Sequence, residues 1–323
     1  AKNIAYIDAF QSLSWVAHQE ELSCPNLVKN KKTLRIEQAW HPLIKKVILD
    51  QFVCHDLELS KDRFFGLITG PNMAGKTTVM REMVIIQYLA QIGSFVPAKS
   101  ASLSITDFIF SRLGASDDIQ KGQSTFMVEM SETAEILRHA TSSSLIILDE
   151  VGRGTSTYDG LSIAWALVEH IIQKIKARTL FATHYHELVD LAERESEAKN
   201  LTVETISKDG DVQFLYRLIE QPAGQSYGIY VAKLAGLPNS LLKRSQEILN
   251  NLESTNPQKS VTETLIDDNQ LSFFNLEEKE EAVPTHLKEL QNQITQMDLI
   301  QMTPFDCMMQ LKNIKDNLES STI

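Results

Sequence analysis

Gly70-Pro71-Asn72-Met73-Ala74-Gly75-Lys76-Thr77 fits the pattern G-x-x-x-x-G-K-[ST], and it lies between an apolar run and a mostly apolar helical segment, Thr78 to Ile92, closed by Gly93. Glycines let a loop turn its backbone N–H groups inward around phosphate oxygens, and the helix that follows adds partial positive charge at its N-terminus. A lysine at this spacing reaches β- and γ-phosphate oxygens, and the adjacent hydroxyl ligates Mg²⁺. The stretch from Gly70 to Thr78 is therefore expected to cradle a nucleoside triphosphate, with Lys76 as the neutralising charge and Thr77 as a metal ligand. A plain glycine turn would need Lys76, Thr77 and both flanking elements to coincide by chance.

Two more apolar runs end in polar residues suited to the same chemistry. Leu145-Ile146-Ile147-Leu148-Asp149-Glu150 finishes on two carboxylates. Beside a phosphate loop, Asp149 would join the Mg²⁺ shell, and Glu150 would act as general base toward the attacking water. Without that loop, the pair would be two acids meeting solvent at a sheet edge. Leu180-Phe181-Ala182-Thr183-His184 brings a histidine to the same edge, where His184 is expected to sense the γ-phosphate. His184, His186 and Glu187 lack a nearby Cys or further His to complete a tetrahedral metal site, so a zinc cluster is not expected.

These segments need a scaffold of strands. From about Leu34 to Thr205 short apolar runs alternate with longer helical segments, the pattern of a layered α/β domain. Central strands are predicted at Phe64–Thr69, Leu145–Asp149 and Thr179–Thr183, with another at Val212–Leu218. Before them, residues 1–20 carry apolar residues near helical spacing. After them, two helical patterns break at Gly236-Leu237-Pro238 and read as a helix–turn–helix pair. Beyond Glu253 the chain turns polar and then acidic at Glu277-Glu278-Lys279-Glu280-Glu281, which reads as a flexible linker. Helical character returns after Leu287, and Thr303-Pro304-Phe305-Asp306 has the makeup of a helix start.

The 323 residues suffice for about two domains. No apolar run of about 18 residues exists to span a bilayer, which excludes a membrane-embedded protein. Three widely spaced cysteines support neither a disulfide framework nor a cysteine zinc site and point to the cytosol. A net charge of −11 opposes contact with a phosphate backbone, so any nucleic-acid binding must be local or lie elsewhere. The chain starts with Ala1 and shows no signal peptide; a piece of a longer protein is expected.

Four stretches resemble the DNA mismatch repair ATPases of the MutS type, whose ATPase is ABC-like: Thr69–Thr78, Gly122–Met130, Asp149–Gly160 and Phe181–Leu188. Trp40-His41-Pro42 and Ser226-Tyr227-Gly228 extend the likeness over about residues 1–252. The resemblance implies an ABC-type P-loop NTPase with a layered sheet and flanking helices, followed by a helix-turn-helix dimerisation element and a helical tail. It implies ATP and Mg²⁺ as cofactors and a homodimer in which each site is finished by the partner. Ser124 matches the serine that reaches the γ-phosphate on the other subunit, although an ordinary N-cap is the plain alternative. Phe52 matches the aromatic beside the adenine, and Tyr216 stands where the family often has a histidine on the other face; without the resemblance both read as core aromatics. Ala74 replaces a glycine and Thr77 a serine, which keeps the loop small and its hydroxyl in place.

The expected organisation is the end of a lever region at 1–33, the ATPase domain at 34–218, the dimerisation element at 219–253, a linker at 254–284 and a helical oligomerisation element at 285–323. Gln270-Leu271-Ser272-Phe273-Phe274 in the linker resembles the short motif by which bacterial proteins bind the replisome's sliding clamp. The remaining implied partners are mismatched duplex DNA, reached through domains absent from this chain, and a MutL-type repair factor; a tetramer through the tail is also implied. The expected setting is a bacterial cytoplasm, associated with the nucleoid. A transporter ATPase would carry Leu-Ser-Gly-Gly-Gln where this chain has Ser-Thr-Phe-Met-Val-Glu-Met. A recombination paralogue usually adds a nuclease domain, and a decayed interaction module would not keep Lys76, Thr77, Asp149 and Glu150 together.

Overall fold

A computed structural model describes residues 1–29, 32–71, 74–114, 124–208, 211–222 and 227–255, with positions 309 and 312. Contacts divide the chain into two units, Ala1–Gln258 and Lys259–Ile323, and the first holds both sheets and the helices up to Thr255. The Gln270–Phe274 motif and nearly all of the tail lie outside the described residues.

The chain opens with α1 (Lys2–Gln19), β1 (Asn26–Val28), β2 (Leu34–Ala39), α2 (Pro42–Ile48) and β3 (His55–Leu59). Next come β4 (Phe65–Thr69), α3 (Lys76–Gln91), β5 (Ser100–Ser104), β6 (Ile109–Arg112), α4 (Thr125–His139) and β7 (Leu145–Asp149). The rest is α5 (Thr157–His170), β8 (Arg178–Ala182), α6 (Glu187–Arg194), β9 (Ala198–Lys208), β10 (Asp211–Ile219), α7 (Gly228–Leu234) and α8 (Asn239–Thr255). Among the described residues, no helix is long and apolar enough to cross a membrane.

The larger sheet has the order β10-β9-β4-β8-β7-β6, parallel except for the antiparallel β9–β10 pair. Strands β4, β7 and β8 are buried along their whole length, as expected of parallel strands covered on both faces. One face carries α3, whose Val79, Met80, Met83, Ile86 and Ala90 pack between this sheet and a second one. The other face sets Phe65, Leu67, Ile146, Leu148 and Phe181 against α5 and α6.

The second sheet, β1-β5-β2-β3, is mostly antiparallel. It was not predicted as a separate layer. Its strands are short, and those of β2 and β3 bury one face only, so they give weaker apolar runs than the central strands. In the larger sheet β6 and β9 are not among the predicted strands, and β8 begins at Arg178, whose buried guanidinium donates to the Thr33 carbonyl at 3.0 Å and the Thr106 hydroxyl at 2.7 Å. Helix α3 begins at Lys76 rather than Thr78, so the motif's last residues form its first turn. The predicted helix at the start forms, yet Ile4, Ile7, Phe10 and Trp15 are exposed and only Ala17 is buried. Helices α7 and α8 flank Gly236-Leu237-Pro238.

Candidate active site

Strands β4, β7 and β8 run in parallel, so Gly70, Asp149–Glu150 and Thr183–His184 all emerge at their C-terminal ends, where open α/β sheets hold ligands. Gly75 has φ 92°, a left-handed conformation that glycine adopts without cost, and it turns the loop into α3. Ala74 donates its N–H to the Pro71 carbonyl at 3.1 Å. Asn72 and Met73 lie outside the described residues. Lys76 is 2% exposed and donates from Nζ to the Gly70 carbonyl at 2.5 Å. Burial holds its ammonium below the usual lysine range, while Glu150 and Asp149 pull the other way. Thr78 is half-buried in the same turn.

Thr77 donates from Oγ1 to Asp149 Oδ2 at 2.8 Å, so the two expected metal ligands meet. Burial pushes the Asp149 carboxyl up, against the Thr77 hydrogen bond. A hydroxyl and a carboxylate converging beside a buried ammonium are hard oxygen donors of the kind that fit Mg²⁺ on a triphosphate. Among the described residues, no group of three or more His, Cys, Asp or Glu could hold a metal ion.

A family model for MutS domain V matches residues 66–253, more than half of the chain. The chain belongs to the MutS domain V family. A "DNA mismatch repair protein MutS" of Acetivibrio thermocellus is 46% identical over 325 residues, covering 99% of this chain and 37% of the relative. The protein of the same name from Streptococcus suis is 43% identical, with 98% and 37% covered. That from Clostridium novyi is 53% identical over 264 residues, with 80% and 29% covered. The chain thus spans little more than a third of the length of the first two MutS relatives.

In this MutS domain V, Glu150 has φ 52°, which costs a non-glycine residue about 1 kcal/mol. Its backbone N–H donates to the Ala182 carbonyl at 2.9 Å, tying the end of β7 to β8. Its side chain is 15% exposed and pairs with Arg153, three residues on. The following turn is tightly seated: a Cβ on Gly152 would come 2.6 Å from the Gly160 carbonyl oxygen, and one on Gly160 would collide with that of Gly152. Tyr185 donates from its hydroxyl to the Gly152 carbonyl at 3.1 Å.

The exposed His184 ring lies 4.1 Å, centroid to centroid, from that of Tyr185. Partial burial holds its imidazole below the ordinary range, opposed by Glu150. Ser124 N-caps α4, accepting the Met127 N–H at 3.2 Å. Its hydroxyl is exposed and stands at a helix N-terminus.

Sequence reasoning missed a buried network behind these residues. Arg112, at the end of β6, donates to the Asp149 carbonyl at 3.3 Å and pairs with Glu129 of α4 at 3.4 Å. Glu129 also accepts the Gly152 N–H at 2.6 Å. The helix that Ser124 caps is thereby linked to the residues around Asp149 and Glu150. Glu129 belongs to the Gly122–Met130 stretch, but nothing in its type or spacing marks it out.

Phe52 and Tyr216 come to one end of the site around His55. The half-buried Phe52 packs its ring edgewise on the His55 ring, 5.9 Å between centroids. Tyr216 is 46% exposed, and a Cβ built on Gly75 would touch its ring at 3.6 Å.

Proposed function

We propose that this chain is the ATP-binding and ATP-hydrolysing module of a DNA mismatch repair protein, with an ABC-type P-loop arrangement. The observation that carries this is the 2.8 Å contact between Thr77 and Asp149 beside the buried Lys76. Backbone N–H groups of the 70–78 stretch, Pro71 having none, and the ammonium of Lys76 neutralise the triphosphate. Thr77 and Asp149 would hold Mg²⁺, which when bound would supply positive charge to offset that developing on the phosphates. Glu150, once free of Arg153, accepts a proton from the attacking water. His184, neutral at pH 7, contacts the γ-phosphate through hydrogen bonds. Phe52 and Tyr216 flank the adenine.

The chain acts as a homodimer, and Ser124 at the N-terminus of α4 completes the partner's site. In this organisation 1–33 ends a lever, 34–218 is the ATPase domain, 219–253 the dimerisation element, 254–284 a linker and 285–323 an oligomerisation element that permits tetramers. ATP binding and hydrolysis switch the DNA-held state of the whole protein and license recruitment of a MutL-type factor. Mismatched duplex is read by parts that the MutS relatives have beyond this chain. Gln270–Phe274 engages the sliding clamp.

ATP turnover and binding test the proposal. Lys76→Ala should weaken ATP binding at least tenfold through loss of a phosphate-neutralising charge, and Glu150→Gln should bind ATP yet turn over at least a hundredfold more slowly. Wild-type ATP affinity in Lys76→Ala, or unaltered turnover in Glu150→Gln, would remove the corresponding role.

A further inference from the structure

His55 begins β3, at the edge of the smaller sheet, and its ring is buried between elements far apart in sequence. Its Nε2 lies 2.8 Å from the backbone carbonyl of Tyr216 on β10, the edge strand of the larger sheet. Its Nδ1 lies 2.8 Å from Oε2 of Glu82, a fully buried carboxyl on α3, six residues beyond Lys76. A carbonyl oxygen only accepts, so Nε2 must carry a proton. A second proton is then shared between Nδ1 and Glu82, and the pair is neutral whichever atom holds it.

The Tyr216 backbone has φ 55°, unusual for an aromatic residue, and it falls where the register of β10 against β9 shifts between Phe214 and Leu218. Nothing about a tyrosine favours that conformation, so neighbouring structure must hold it. The bond from His55 falls on the carbonyl of that same residue, and the Tyr216 ring then lies beside Gly75 at the start of α3. A closed circuit results: α3 through Glu82 to His55, His55 to Tyr216, and Tyr216 back to the loop that opens α3. The ring of Phe52 rests on the same histidine.

We infer that His55, oriented by Glu82, is a positioning residue that sets Tyr216 and Phe52 for the base of the nucleotide, and so contributes selectivity for a nucleotide over its phosphates alone. This rests on the proposed function, in which these two aromatics flank the base. The two ring nitrogens of His55 are turned to Glu82 and to the Tyr216 carbonyl rather than to the phosphate loop. Its loss should therefore weaken recognition of the base while leaving recognition of the phosphates.

The test measures affinity for ATP and for inorganic triphosphate, each with Mg²⁺, by competition on the full chain. His55→Ala should lower the preference for ATP over triphosphate roughly tenfold, the worth of one lost orienting hydrogen bond. The loss should appear in KM rather than kcat. Glu82→Gln should retain the preference, because its amide can donate to Nδ1 and leave the Nε2 proton on the Tyr216 carbonyl. If His55→Ala fails to fold, His55→Phe fills the volume without ring nitrogens and should show the same loss. Equal weakening of both ligands, a fall confined to kcat or an unchanged preference in the His55 variant would overturn the inference. Tyr216→Ala separates the two levels: if it loses the preference while His55→Ala keeps it, only the positioning role fails. If Tyr216→Ala keeps the preference, the base reading fails and the inference with it.

Discussion

Thr77 and Asp149, 72 positions apart in sequence, meet at 2.8 Å through a hydroxyl-to-carboxylate hydrogen bond. The bond ties the first turn of α3 to the end of β7. It also brings two side-chain oxygens to one point of the sheet edge.

Because the two residues would hold one ion, their effects on Mg²⁺-dependent ATP binding should not add. Thr77→Ala and Asp149→Asn should each weaken that binding about tenfold or more, and the double variant little further. Titrating ATP binding against Mg²⁺ for the four proteins measures this. Fully additive losses would mean that the residues act separately.

Arg112 and Glu129 couple α4 to the chain around Asp149 and Gly152, and both are buried. Removing one partner leaves an uncompensated buried charge, so Arg112→Met should cost about 3 kcal/mol of stability. Denaturant unfolding reads that loss. Turnover per folded molecule should also fall, since the turn after Glu150 loses its anchor; unchanged turnover would confine the network to stability.

Stability should decline on mild acidification because of histidines. Burial holds His41 and, in part, His184 below the ordinary value of 6.5. The folded chain therefore binds fewer protons than the unfolded chain just below that value, and stability is lost as pH falls through 6.5. Glu82 and Asp149, raised by burial, have the opposite sign: each loses stability as pH rises from its ordinary value through the folded one. His184→Gln should flatten the loss of Tm between about pH 6.5 and 5. Identical Tm profiles for variant and wild type would contradict this.

What could be read from the sequence was local. The loop 70–77, the runs that become β4, β7 and β8, and the capping serine before α4 each declare themselves within a few neighbouring residues. His55 does not: its partners Glu82 and Tyr216 lie 27 and 161 positions away, and a lone histidine at the start of a short strand carries no pattern. The same holds for Arg112, which reads as a charge ending a strand until the fold buries it against Asp149 and Glu129. The second sheet went unread because its short, half-buried strands lack the continuous apolar runs of the central ones.

The proposal that each site is completed by the partner is tested most directly by mixing two variants expected to be inactive. In the proposed arrangement Ser124→Ala would lack the group offered to the partner, and Lys76→Ala the charge that meets the phosphates. A mixed dimer would pair the intact loop of the first with the intact Ser124 of the second, forming one complete site. Titrating Lys76→Ala into Ser124→Ala should therefore restore ATPase activity above that of either alone, up to about half the wild-type activity per mixed dimer, one complete site of two. A mixture no more active than the sum of its components would contradict completion of the site in trans and leave Ser124 as the N-cap of its own helix.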